Sequence, residues 1–343
     1  MPRKILFTPS VPYNWMCQRP NHFCYQFALK GWDVIYMQDK NQGNPKGSLP
    51  VLPNMKIVTG AKYEDFIGTK IDVVYSISPL NYPRKGMLGE KLFVYDCPDD
   101  FSFHWRERET EMTRICDILF TTSDLLMAKK VKERNGNACY LVKNGIDLQY
   151  FTPGRHIGCP GDMEGVRRPI IGYAGAMAYW LDYDMIRYAS EMLPEFNFVF
   201  VGPPFGIRSE TEMRTEHNKL FLGIKPMQDI PKYIQHFDVC IIPFLRNDIT
   251  KHANPIKLYE YLAMGKNVVS SSCMPEVEKY SDVVCIAKDK EEFVELIKQC
   301  VWELNSKSPV FLKEKEDNRM NAVKDQTWSN RVDNIISILE KYL

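Results

Sequence analysis

The segment NPIKLYEYLAMGKNVVS, residues 254–270, reads as a helix that stops and feeds a buried strand. Asn254 is a favoured N-cap residue, Pro255 suits the first helical position, and Gly265 supplies the stop before NVVSS. In that frame Lys257 is the third helical residue, where its charge and the unsatisfied N–H groups of the first turn can act together on an anion such as a diphosphate. Glu260 follows one turn later on the same face, where a carboxylate can accept from the hydroxyls of a ribose. The competing reading is a solvated Lys–Glu pair worth roughly 0.2–0.5 kcal/mol.

The alternation continues on both sides. DVCIIPF precedes the segment as a strand; RRPIIGYAG, FNFVFVGPP, LFLGIKP and DVVCIA read as further strands, and YDMIRYASEML, DIPKYIQHF and EEFVELIKQCVWEL as helices. The same pattern fills the N-terminal part: strands at KILFTPS, WDVIYMQ, KIVTG, IDVVYSI, KLFVYDC, DILFTTS and ACYLVKN, a helix at RPNHFCYQFALKG ended by Gly31, and another at SDLLMAKKVKERNG capped by Ser123. Strands alternating with helices imply mostly parallel, doubly wound α/β sheets. The Gly- and Pro-rich stretch NGIDLQYFTPGRHIGCPGDMEGVRRP has neither period and reads as a linker. Two α/β domains result, residues 1–155 and 156–325. A terminal helix over 326–343, with Val332, Ile335, Ile336 and Leu339 at helical spacing, needs a surface for its apolar stripe and can pack back on the first domain.

Composition agrees with a globular protein of about two domains: 343 residues, 45% apolar and 25% charged. The net charge is +1, divided as +4 over residues 1–154 and −3 over the remainder. That is far from a nucleic-acid-binding profile, while the basic N-terminal half permits an anionic ligand or peripheral contact with a membrane. MPRKILFTPSVP holds only a short apolar run broken by prolines, unlike a secretion signal, and no run of about 18 apolar residues occurs. The ten cysteines are scattered without a CxxC pair, as expected of reduced core thiols in a cytoplasmic protein.

In open α/β sheets ligands bind at the carboxyl ends of strands. Four further places qualify. Gly172 and Gly175, in IIGYAGAM, can let backbone amides approach a phosphate or can serve tight strand–helix packing; Asp182 beyond them reads as a helix cap. In KLFVYDCPDDFSFHW, Asp96 can accept the proton of an acceptor hydroxyl, with His104 as a weaker alternative base; Asp99 and His104 can contact the acceptor, and a turn built on Pro98 is the alternative for the aspartates, Asp100 included. In NWMCQRPNHF, Arg19 can hold an anionic acceptor group or stand exposed before a helix. Arg246 and Lys251, after DVCIIPF, can add charge beside Lys257 or belong to a solvated loop.

In this order, KNGIDLQYFTP, IIGYAGAM, LFLGIKPMQDIPKYIQHFDVCIIPF and NPIKLYEYLAMGKNVVS resemble the GT-B-fold glycosyltransferases of family 4. QRP after the first strand, VYDCPDD and NPxKLYEYLA are similar to the branch related to teichuronic-acid and other bacterial surface-polysaccharide transferases. The resemblance implies two Rossmann-like domains facing a central cleft, an acceptor-binding N-terminal half, a nucleotide-sugar-binding C-terminal half and a last helix crossing back. It implies sugar transfer, retaining and without a metal or other cofactor, from a nucleoside diphosphate sugar, UDP rather than GDP, to a glycan or lipid-linked acceptor. By position, Glu260 matches the family's ribose-holding glutamate, Lys257 a basic residue beside the diphosphate, and Gly175 the glycine at the phosphates. His252 stands where the family has a sugar-contacting glutamate, so Ala253 and Asn254 amides are the expected substitutes, and the family's Arg and Lys after the first C-terminal strand are absent from GAMAYWLDYD. Lys257, Arg246 and Lys251 would then carry the diphosphate charge, with Asp96 as the base of an inverting reaction. A nucleotide-sugar epimerase of the same architecture, and a non-catalytic nucleotide-sugar-binding subunit, are the alternatives.

Overall fold

The computed structural model describes residues 2–13, 16–39, 49–134, 136, 138–155, 158–204 and 218–343, without the side chains of 102–104. The chain divides into two compact units.

The first unit comprises Met1–Asn144, His252–Asn254 and Trp328–Leu343. Strands β1 (Lys4–Phe7), β2 (Asp33–Gln38), β3 (Met55–Thr59), β4 (Val73–Ser76), β5 (Leu92–Cys97), β6 (Ile118–Thr121) and β7 (Cys139–Leu141) form one parallel sheet in the order β3-β2-β1-β4-β5-β6-β7. The central strands VVYS, LFVYDC and ILFT are buried at every position, which is why they read as unbroken rather than alternating apolar runs. Helices α1 (Arg19–Leu29), α2 (Ser102–Ile115) and α3 (Asp124–Glu133) connect them. Ser123 caps α3 by accepting from the Leu126 N–H at 3.2 Å, as its place before the apolar run predicts.

The helix Trp328–Leu339 closes this unit against α1. Its Trp328 stacks on His22 at 4.7 Å and meets the Phe23 edge at 5.6 Å; burial pushes the His22 imidazole down to about 3, keeping it neutral. Val332, Ile335 and Leu339 are buried as the spacing predicts, with Ile338 more deeply placed than Ile336. Each such side chain contributes about 1.5–3 kcal/mol by leaving water.

The second unit comprises Gly145–Lys251 and Pro255–Thr327. The division falls at Asn144, ahead of the expected residue 155, because the linker packs with the second unit: Phe151 and Met163 are buried, and Asp162 accepts from the Tyr233 hydroxyl at 2.9 Å. Strands β8 (Ile170–Ala174), β9 (Asn197–Val201), β10 (Lys219–Phe221), β11 (Val239–Ile242), β12 (Asn267–Ser271) and β13 (Cys285–Ala287) form a parallel sheet in the order β10-β9-β8-β11-β12-β13. Around it lie α4 (Tyr183–Met192), α5 (Ile230–His236), α6 (Ile256–Ala263), α7 (Pro275–Glu278), α8 (Lys290–Ser306) and α9 (Pro309–Val323). In both sheets the strand order reverses beside the first strand, between β1 and β4 and between β8 and β11, creating the switch points where α/β sheets bind ligands.

Helix α9 and the kinked α2 lie outside the sequence expectations. Only Arg319 and Val323 of α9 are buried, so it has no apolar stripe to reveal it. It packs along α6, where Arg319 Nε donates to the Gly265 carbonyl at 2.8 Å and so satisfies the end of that helix.

Candidate functional site

At the carboxyl end of the second sheet, three neighbouring strands finish close to glycines with positive φ: Gly175 after β8 (152°), Gly202 after β9 (145°) and Gly223 after β10 (66°). Gly175 N–H donates to the Val201 carbonyl at 2.8 Å and Gly202 N–H to the Gly223 carbonyl at 2.9 Å, tying the three ends together. A Cβ on Gly202 would lie 2.1 Å from the Gly175 oxygen, and a Cβ on Gly175 would lie 3.0 Å from Lys257 Cε and 3.1 Å from its Nζ. The lysine therefore runs directly over bare backbone, an approach that glycine permits. Gly202 was not among the sequence candidates, although VGPP after a buried strand carries the same signal as Gly175.

Gly172 takes the packing role instead. It lies inside β8, where a Cβ would fall 2.0 Å from the Phe237 ring, so it accommodates that ring and is not a phosphate contact. Asp182 caps α4, accepting from Met185 N–H at 2.8 Å.

Helix α6 starts one residue later than the sequence suggests. Pro255 is its N-cap and offers no side-chain cap, and Lys257 is its second residue. Lys257 Nζ lies 5.1 Å from the centroids of both Tyr173 and Phe244, so its charge meets two ring faces. Neither this ammonium nor the Glu260 carboxylate has a hydrogen-bond or ion-pair partner among the described residues, and both are half-buried. Burial lowers the Lys257 pKa, with Glu260 opposing; burial raises the Glu260 pKa, with Lys257 opposing. Two desolvated, unpaired charges of opposite sign, one turn apart, are costly to maintain without a ligand that answers both.

The other expected cations are already engaged. Arg246 Nη2 donates to the Ser272 carbonyl and hydroxyl, each at 2.6 Å, and lines a cavity of about 320 Å3 with Phe244, Asp182, Cys273 and Lys288. Lys251 pairs with Asp248 at 2.5 Å on the surface.

The first unit reverses two expectations. Arg19 and Asp96 are buried against each other, at 3% and 0% exposure. Arg19 Nε donates to Asp96 Oδ2 at 2.8 Å and Nη2 to Oδ1 at 2.9 Å; the remaining donors go to the Val142 carbonyl (2.8 Å), the Lys143 carbonyl (3.2 Å) and Asn144 Oδ1 (3.1 Å). A guanidinium has five N–H donors, and all are used. Tyr75 donates to Asp96 Oδ2 at 3.1 Å. Arg19 thus has no donor left for an acceptor anion, and Asp96 is sealed from any hydroxyl it would deprotonate.

Asp99 is exposed, whereas Asp100 is buried, chelated by Lys129 Nζ at 2.8 Å to each oxygen, with His252 Nδ1 at 3.0 Å from Oδ2. His252 and Asn254 therefore count with the first unit. Asn254, read as the helix cap, instead accepts from Asn144 N–H through Oδ1 at 2.8 Å and from Asn144 Nδ2 through its carbonyl at 2.6 Å. His104 falls in α2, and its side chain lies outside the described residues.

Residues 168–302, which carry Gly175, Lys257 and Glu260, match the family model described as Glycosyl transferases group 1. A Bacillus subtilis (strain 168) protein, TuaH, named for a glycosyltransferase role in teichuronic acid biosynthesis, is 23% identical over 228 residues, 65% of this chain and 57% of that protein. The match thus spans little more than half of the relative's length. Among solved structures, sucrose-phosphate synthase from Thermosynechococcus elongatus superposes with a TM-score of 0.73 at 13% identity, covering 99% of this chain and 98% of that one. Anabaena HepE, solved in complex with UDP and glucose, gives 0.71 at 12% identity, covering 99% and 100%. The chain thus has the GT-B fold along its length, is similar to a teichuronic acid transferase over 65% of its residues, and matches the glycosyl transferases group 1 model over residues 168–302.

Proposed function

We propose that this chain transfers a sugar from a nucleoside diphosphate sugar, UDP-linked, to a glycan or lipid-linked acceptor in the building of a surface polysaccharide. The observation that carries this reading is Lys257: a half-buried ammonium without an ion-pair partner among the described residues, laid over Gly175, with the Glu260 carboxylate one turn on. The diphosphate sits against Lys257 and the uncapped first turn of α6, and Glu260 accepts from the ribose hydroxyls. The choice of UDP is supported by Anabaena HepE, which was solved with UDP and glucose, and the acceptor class by the process for which TuaH is named.

In this reading the bond from the sugar's anomeric carbon to the diphosphate oxygen breaks and its electron pair leaves with the diphosphate. Lys257 and the α6 amides stabilise that developing charge without a metal, an arrangement of positioning and fixed electrostatics. The acceptor hydroxyl oxygen bonds to the anomeric carbon on the face the diphosphate leaves, retaining configuration, and its proton passes to the diphosphate. With Asp96 sealed, no protein base is assigned. Among the described residues no helix is long and apolar enough to cross a membrane; we place the reaction in the cytoplasm.

The test is a panel of nucleotide sugars scored by nucleoside diphosphate release and by mass spectrometry of extracted acceptors. The expected result is UDP release with one UDP-sugar and an acceptor heavier by one sugar residue. Isomerised nucleotide sugar without acceptor would instead indicate an epimerase, and the absence of turnover or binding with every donor removes the proposal.

A further inference from the structure

Two cysteines face each other inside the second unit. Cys285 is the first residue of β13, Cys300 lies in α8, the helix that follows, and their sulfurs stand 3.9 Å apart. Cys285 is half-buried, so a small molecule can reach it, while Cys300 is buried at 4% exposure. No step of the proposed sugar transfer uses either thiol.

The surroundings set this pair apart from other core thiols. Burial pushes the thiols of Cys24, Cys97, Cys116 and Cys240 up, which keeps them protonated and inert. Cys285 moves the other way: the Cys300 thiol donates to its sulfur, and the Arg319 guanidinium and Lys315 ammonium of α9 add positive potential, against burial and the Glu303 carboxylate. Arg319 is itself fixed, since its Nε donates to the Gly265 carbonyl at 2.8 Å. The same hydrogen bond pushes the Cys300 thiol up, so the shared proton stays on the buried partner. A reachable sulfur with thiolate character and a second sulfur beside it are what a two-thiol oxidation requires.

We propose that Cys285 and Cys300 form a peroxide-responsive modification site, closing to a disulfide that ties β13 to α8. Cys285 Sγ attacks one oxygen of hydrogen peroxide, the O–O bond breaks, and the other oxygen leaves as water with the thiol's proton, giving a sulfenic acid. Cys300 Sγ then attacks Cys285 Sγ, the S–O bond breaks, and the hydroxyl leaves as water with the Cys300 proton. Two electrons pass from the two thiols to one peroxide, which ends as two waters. The sulfurs need to approach from 3.9 Å to the roughly 2.05 Å of a disulfide. In the cytoplasm, where the sugar transfer is placed, disulfides are transient and redox-sensing, so this pair rests reduced. The inference is independent of the donor-site reading.

The experiment treats the reduced full chain with hydrogen peroxide and maps its cysteines by mass spectrometry, in the wild type, Cys300→Ser and Cys285→Ser, with thermal unfolding of each. The wild type is expected to lose the mass of two hydrogens, with the peptides carrying Cys285 and Cys300 linked, and dithiothreitol should restore both thiols. In Cys300→Ser the reaction should stop at a Cys285 sulfenic acid that dimedone traps; in Cys285→Ser, Cys300 should stay a thiol. Oxidation confined to other cysteines such as the exposed Cys159, linkage of Cys285 to any sulfur other than Cys300, or a wild type that stops at the sulfenic acid overturns the inference. If a variant fails to fold, the linked or unlinked state of the two wild-type peptides decides.

Discussion

Each unit sets a basic residue against a carboxylate near the carboxyl end of its sheet, and the two pairs differ in nearly every physical respect. Arg19 and Asp96 meet in a bidentate contact, every guanidinium donor is spent, and water is excluded. Lys257 and Glu260 stand one turn apart on α6, half-buried and without ion-pair partners among the described residues, their titration shifted toward neutrality by burial. Charges that satisfy one another hold a structure; in the proposed reading, the charges left without partners are kept for a ligand.

Removing one member of each pair breaks the comparison most sharply. Arg19→Met leaves Asp96 buried beside Tyr75 alone and should cost about 3–5 kcal/mol of stability, measured by denaturant unfolding. Lys257→Ala should lower donor kcat/KM by roughly 10²–10³-fold, since it removes charge stabilisation of the departing diphosphate. Its unfolding midpoint should hold or rise, because a desolvated ammonium without an ion-pair partner among the described residues is lost.

The glycines sharpen the contrast at smaller scale. Gly172→Ala drives a methyl into the Phe237 ring and should cost about 1–3 kcal/mol of stability with UDP affinity unchanged. Gly175→Ala, at φ 152° and 3.1 Å from Lys257 Nζ, should lower UDP affinity. The smallest effect is in pH. Because burial lowers the Lys257 pKa, its ammonium deprotonates before an ordinary lysine does, and UDP affinity should begin to fall below the usual lysine range near 10.5. The sign for stability is opposite. The unfolded chain keeps that proton longer than the folded one, so stability of the ligand-free protein should rise with pH between the lowered value and 10.5. Both trends should vanish in Lys257→Met, measured by UDP titration and unfolding across pH 7–11.

Period and punctuation made the two parallel sheets legible, because buried parallel strands are unbroken apolar runs and their connecting helices carry stripes such as Val332, Ile335 and Leu339. That Lys257 and Glu260 stand one turn apart on one helix was legible because their relation is local, set by helical spacing alone. Arg19 and Asp96 were misread because their partner is decided by the fold: 77 residues separate them in sequence, and nothing near either reveals the other. Asn254 was a sound helix cap by local rule and was overridden by Asn144, 110 residues away. Gly172 and Gly175 look alike in IIGYAG; Phe237 above one and Lys257 above the other assign their different roles.

The central claim is that Lys257 and Glu260 hold a nucleoside diphosphate, and calorimetric titration of UDP into the wild type and Lys257→Ala tests it most directly. The account predicts a saturable wild-type isotherm and binding at least tenfold weaker in the variant, at an unfolding midpoint that holds or rises. Equal UDP affinity in the two proteins would contradict it.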